Sequence, residues 1–205
     1  MNYIILVAIA AAVAAAVYFV VKGKASSSTA PAPVPASGWQ QQYGNVAVDS
    51  ATGNFTFGEP HYIVRAAPKL QPGQTIAMRF RIDGTGQLIS VQDGGQASVT
   101  LYMQRAGDNL SGAGVYQQYR YFGATAQLND TAEHTLSCQL NPDQWGDVFG
   151  QRGSDHPAEF AACVANAAVL GFVFGNPGAG ATGHGATIKA GTGTASFTLL
   201  DFSVQ

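Results

Sequence analysis

Within residues 75–83, "TIAMRFRID", the side chains of Ile76, Met78, Phe80 and Ile82 fall on one face and those of Thr75, Arg79, Arg81 and Asp83 on the other. A period of two is the mark of a half-buried β-strand, because successive side chains point to opposite faces of a sheet. The rhythm recurs in "ASVTLYMQ", where Val99, Leu101 and Met103 alternate with Thr100, Tyr102 and Gln104, and in "HTLSCQL", which points Leu136, Cys138 and Leu140 inward. "VYQQYRYF" alternates polar and aromatic residues and reads as a further strand, while "VLGFVF" is apolar on both faces and suits a central one. The last run, "TASFTLLDFSV", changes phase: Phe197 and Leu199 share a face, then Leu200, Phe202 and Val204 take over. One inserted residue near Leu199–Leu200, a β-bulge, would restore a single inward face.

Turn signals ("DGTG", "QDGG", "AGDN", "LND") separate these runs at the spacing of an all-β sandwich. Two short helical interruptions are expected. In "NPDQWGDVFG", Asn141 can cap, Pro142 suits the first helical position, and Gln144 has capping-box spacing. In "HPAEFAACVANA", Phe160, Cys163, Val164 and Ala167 recur at helical intervals, so one face packs on the sandwich. The fold expected for residues 39–205 is all-β, two antiparallel sheets with one or two short helices.

What precedes this domain differs in kind. Residues 3–21, "YIILVAIAAAVAAAVYFVV", carry no charge and as a helix would span ~28 Å, close to the hydrocarbon thickness of a bilayer. Residues 1–24 are therefore expected to be a transmembrane anchor, with a cleavable signal peptide as the rival reading. Ala8, Ala12 and Ala16 recur every four residues, a spacing that permits close helix–helix approach and self-association. Residues 25–38, "ASSSTAPAPVPASG", form a linker whose alternating prolines favour an extended stalk. Lys22 and Lys24 follow the apolar run and vote for a cytoplasmic domain, whereas the composition reads as exported; a domain outside the cytoplasm is the expectation.

Charge narrows the partners. From Trp39 onward eight Lys/Arg face twelve Asp/Glu, with no cationic cluster to track a phosphate backbone, so nucleic acid is not an expected partner. "GNPGAGATGHG" contains G-x-G-x-x-G at Gly178, Gly180 and Gly183, yet strand-like "ATIKAGTGTASFTLL" follows where a dinucleotide site needs a helix. These glycines are read as serving turns and close packing. Cys138 and Cys163 have no zinc-type spacing; two buried thiols and one disulfide closing a loop of about 25 residues are both open.

"YRYFG", "HTLSCQLNPDQWGDVFGQ", "EFAACVANAAVLGFVFG", "GHGATI" and "GTASFTLLDFSV" together resemble exported bacterial jelly-roll domains, namely carbohydrate-binding modules and galactose-binding-like sandwiches. The resemblance covers most of residues 39–205 and implies a two-sheet antiparallel jelly roll that binds a glycan. "AGVYQQ" also resembles a strand of alginate-lyase-type jelly rolls, but those need a Gln-x-His strand that the chain lacks.

Trp145 has two roles open to it. It is either a stacking platform for a sugar, with Asp143, Gln144 or Asp147 donating or accepting hydrogen bonds, or the apolar plug of a helical turn. Tyr102, Tyr116, Gln118 and Arg120 are expected on one outward sheet face, with Tyr119 and Tyr121 inward. Asp201 and Glu59 are the candidates for a structural calcium, and no other cofactor is expected. His61, His134, His156 and His184 are scattered and no nucleophile elbow or carboxylate pair appears, so catalysis is not expected. The resulting expectation is a membrane-anchored, surface-displayed sandwich binding a glycan or protein partner. The alternative is a structural subunit of a filament, virion or membrane array assembled through the Ala-rich helix.

Overall fold

A computed structural model describes residues 38–180 and 182–205; the expected anchor and nearly all of the linker lie outside them. Among the described residues no helix is long and apolar enough to cross a membrane. The strands are β1 (Gln40–Asn45), β2 (Phe55–Thr56), β3 (Glu59–Ala66), β4 (Thr75–Gly84), β5 (Leu88–Ser90), β6 (Ser98–Arg105), β7 (Arg120–Gln127), β8 (Glu133–Gln139), β9 (Ala167–Gly175), β10 (Ala186–Ile188) and β11 (Ala195–Val204). Among the described residues there is one α-helix, α1 (Pro157–Ala165), which precedes β9.

All pairings are antiparallel. Five strands form one sheet in the order β1-β3-β9-β6-β7, four form a second in the order β2-β11-β4-β8, and β10 pairs with β5. The two larger sheets face each other across one core in a sandwich arrangement. Ile63, Leu101 and Phe172 come from the first sheet and Met78, Phe80, Leu136 and Phe197 from the second. Phe197 stacks on Phe55, Phe80 and Phe172 with centroids 5.0–5.2 Å apart, so aromatic rings join the layers at the centre.

The alternation in β4 is realised as read, with Ile76, Met78 and Phe80 fully buried. β6 turns Val99, Leu101 and Met103 to the core as read but is not half-exposed, because Thr100, Tyr102 and Gln104 are buried on its other face. In β11 the register with β4 slips between Leu199 and Asp201, leaving Leu200 as the extra residue, and both Phe197 and Phe202 reach the core. In α1, Phe160, Cys163 and Val164 are buried, as the spacing predicts, while Ala167 already begins β9. Asn141 caps the 3₁₀ turn Pro142–Gln144 by accepting from the amide of Asp143; Gln144 instead accepts from the amide of Gln139.

One strand expectation is corrected. Residues 114–119 form a 3₁₀ helix, and β7 begins only at Arg120. Tyr116 and Gln118 lie in this helix and so do not share a sheet face with Tyr102.

The disulfide option is corrected too, since Cys138 and Cys163 are free and buried. Their sulfurs approach different carbonyls, Gln144 at 3.5 Å and Tyr119 at 3.7 Å. Burial pushes the Cys163 thiol from 9.0 up to about 12. The folded value lies above the unfolded one, so the folded chain keeps a proton that the unfolded chain releases. This contribution is complete below about pH 9 and fades by about 1.4 kcal/mol per pH unit as pH climbs toward 12. Burial raises Tyr62, Tyr102 and Tyr121 as well, adding to the loss above pH 10. Urea midpoints are expected to hold steady from pH 7 to about 9 and fall steeply beyond; a flat profile to pH 11 would contradict this burial.

Candidate functional site

The outer face of the five-stranded sheet is not an ordinary solvated surface. Val64, Tyr102, Val169 and Val173 are buried there, with Tyr62 and Phe122 packed against them. β9 is consequently covered on both sides, matching its two-sided apolar sequence. Four rings cross this face: Tyr43 on β1, Tyr62 on β3, Tyr102 on β6 and Phe122 on β7, with successive centroids 6.4, 5.1 and 5.6 Å apart. The row runs from one edge strand to the other, at most about 17 Å between its end centroids.

Over this floor lies a groove of about 1050 Å³. Residues 146–150 form one wall, held to the edge of β7 by reciprocal hydrogen bonds between Phe122 and Gly146, 2.8 and 2.9 Å. Asp147 shapes that wall: its carboxylate accepts from the amides of Phe149 and Gln151 at 2.9 and 3.0 Å and from Gln118 Nε2 at 3.3 Å. The turn leaves the Phe149 ring 64% exposed, and Tyr43 is 57% exposed on the opposite edge strand.

The glycine-rich loop supplies another wall through Pro177, Gly180, Thr182, Gly183 and His184. No helix follows its glycines; β10 does. Gly183 has φ +79°, and a Cβ there would stand 2.3 Å from the Tyr62 hydroxyl, so the residue must be glycine for the loop to close on the floor. His61 pins the loop, with Nδ1 3.2 Å from the Gly183 carbonyl and Nε2 3.0 Å from Glu59.

At the other end a buried polar chain anchors the floor. Gln42 donates to Gln104 at 2.7 Å, Gln104 donates to Asp108 at 2.7 Å, and Asp108 stands 3.0 Å from Arg120 Nε as an ion pair whose geometry makes no hydrogen bond. Arg120 also donates to the Ser111 carbonyl, and Asp108 accepts from the Leu110 amide at 3.0 Å. Leu110 holds a left-handed φ of 61° in that loop, which a non-glycine residue rarely adopts. The hydroxyl of Tyr102 is buried beside this chain without a partner.

Of the residues expected to bind, Arg120 and Asp147 line the groove. Tyr102 lies beneath, packed against Tyr62 and Phe122, and Gln118 reaches the site only through Asp147. Tyr116 packs on Tyr119 instead. Of the two roles open to Trp145 the structure shows the plug and not the platform: it is 1% exposed, its indole N–H donates to Gln139 at 2.8 Å, and its ring packs where Gly123 has no side chain. Asp143 and Gln144 lie on the exposed 3₁₀ turn outside the groove lining. Asp201 and Glu59 are not brought together. Asp201, level with Arg79 in the four-stranded sheet, accepts from Ser203, whereas Glu59 stands on β3 beside His61. Among the described residues no three His, Cys, Asp or Glu converge as a metal site. Sequence reasoning missed Tyr43, Tyr62, Phe122 and Phe149, whose shared location depends on pairing order rather than on any local pattern.

No family model and no curated protein matches the chain. Among solved structures it is similar to a mutant Xylanase10C from Cellvibrio japonicus in complex with xylopentaose, at 16% identity and a TM-score of 0.40. The match covers 83% of this chain and 27% of that one. The expectation that the chain is not an enzyme stands against this finding and is withdrawn. At so low a score the likeness assigns neither an activity nor a substrate to this chain.

Proposed function

We propose that residues 39–205 form a jelly roll that binds a carbohydrate chain in the groove on the five-stranded sheet. The exposed rings of Tyr43 and Phe149 on opposite sides of the groove, with Tyr62 and Phe122 lining the floor between them, carry this reading. Of the four most exposed large hydrophobic side chains among the described residues, two, Tyr43 and Phe149, stand on this one groove. Exposed rings beside hydrogen-bonding groups suit a sugar, which offers an apolar face and a polar rim. Thr125 and Thr182 line the same space, as do backbone groups of Gly146, Gly150 and Gly183.

In this reading the apolar segment 3–21 tethers the domain outside the cytoplasm, and the proline-rich linker holds the groove clear of the bilayer. A glycan array probed with the full chain in mild detergent tests it. Retention of an oligosaccharide is expected, with each of Tyr43→Ala and Phe149→Ala weakening it ~10-fold, the worth of a stacked ring. An array with no retained glycan, or variants that bind like the parent chain, would overturn the proposal.

A further inference from the structure

We infer that the groove takes a neutral glycan chain and rejects an anionic one such as a polyuronate. This rests on the carbohydrate reading above and adds the ligand's charge. Tyrosines aside, the ionisable side chains lining the groove are His61, Arg120, Asp147 and His184. Arg120 is the one guanidinium among them, and it is already committed: its side chain is 7% exposed and that of Asp108, its partner, is wholly buried. A ligand carboxylate drawing Arg120 away would leave Asp108 an unpaired charge in the interior. Asp147 is spent on backbone amides and would repel an anion. His61 already faces Glu59, whose carboxylate adds a second negative charge at that end.

An anionic chain entering here loses hydration and gains no cation in return. A neutral chain has no such loss, and the exposed rings of Tyr43 and Phe149 accept its apolar faces. Arg65, Arg79, Arg81, Arg105, Arg152, Lys69 and Lys189, the other cations of the domain, are not among the groove residues.

The test is calorimetric titration of the full chain in mild detergent at about pH 8, above the ordinary histidine range. Xylo-, cello- and manno-oligosaccharides are compared with oligogalacturonates and oligomannuronates of equal length. Neutral chains are expected to bind at least ~10-fold more tightly, with no change between about 50 and 500 mM NaCl. Tighter uronate binding, or neutral binding that weakens with salt, overturns this inference and leaves the carbohydrate reading standing. Silence from both classes overturns both. In a second arm Thr125→Arg places an unpaired guanidinium at the exposed position of Thr125; uronate affinity should rise by at least ~10-fold. No rise would contradict the exclusion by charge.

Discussion

Replacing Gly171 with alanine is expected to destabilise the domain by more than ~3 kcal/mol, if it folds at all. Gly171 lies on β9, the central strand of the five-stranded sheet, level with Val64 on β3 and Tyr102 on β6. A Cβ there would stand 2.0 Å from the Ile63 carbonyl oxygen and 2.8 Å from the Val64 Cα. Both are backbone atoms of a paired strand, so neither can rotate aside as the end of a side chain would. Relief requires β3 to part from β9, which breaks the ladder under the groove. At about 2–4 °C per kcal/mol for a domain of this size, the melting midpoint should fall by at least ~6–12 °C. Gly178→Ala is the control, since its new Cβ would meet only Asn176 Oδ1 at an ordinary 3.5 Å and its φ is unstrained. That change should stay within ~0.5 kcal/mol of the parent. Equal stability for the two variants would contradict the close approach of β3 and β9.

The second large effect is electrostatic. Arg120→Met is expected to cost about 3–5 kcal/mol in urea unfolding, because it strands the fully buried Asp108 side chain without its cation. Gln104 and the Leu110 amide still donate to that carboxylate but supply no net charge. The double variant Arg120→Met with Asp108→Leu should recover most of the loss, since an apolar pair in place of a buried ion pair is often neutral. Strong non-additivity is therefore the expected signature. A single variant within ~1 kcal/mol of the parent would show that Asp108 is solvated and that the floor of the groove is not closed at this end.

Much of the sandwich was legible because period two is a local signal. Ile76 to Ile82 and Val99 to Met103 declare their inward face without reference to any partner, and the phase change at Leu199–Leu200 declares the bulge. The two-sided apolar run of β9 even announced a strand covered on both faces. The groove was not legible in the same way. Three loops build it by returning over a sheet whose order interleaves distant segments, and Gln42 meets Gln104, Asp108 and Arg120 from 62 or more residues away with no periodicity to mark them. Residues 114–119 misled because six residues of mixed polar and aromatic side chains are too few to separate a period of two from the period of three of a 3₁₀ turn. Trp145 drew notice as a rare, large aromatic, but its burial depends on Gly123 in a neighbouring strand. Arg120 was read as a surface contact, whereas it is half of a buried pair.

Amide hydrogen exchange on the full chain, with and without an oligosaccharide selected by the array, tests the placement of the groove most directly. Slowed exchange should concentrate in residues 43–44, 122–125, 146–150 and 182–184 and leave the outer face of β4, β8 and β11 unchanged. Protection centred instead on Arg79, Arg81 or Thr198 of the four-stranded sheet would contradict it and move the binding face to the opposite side of the sandwich.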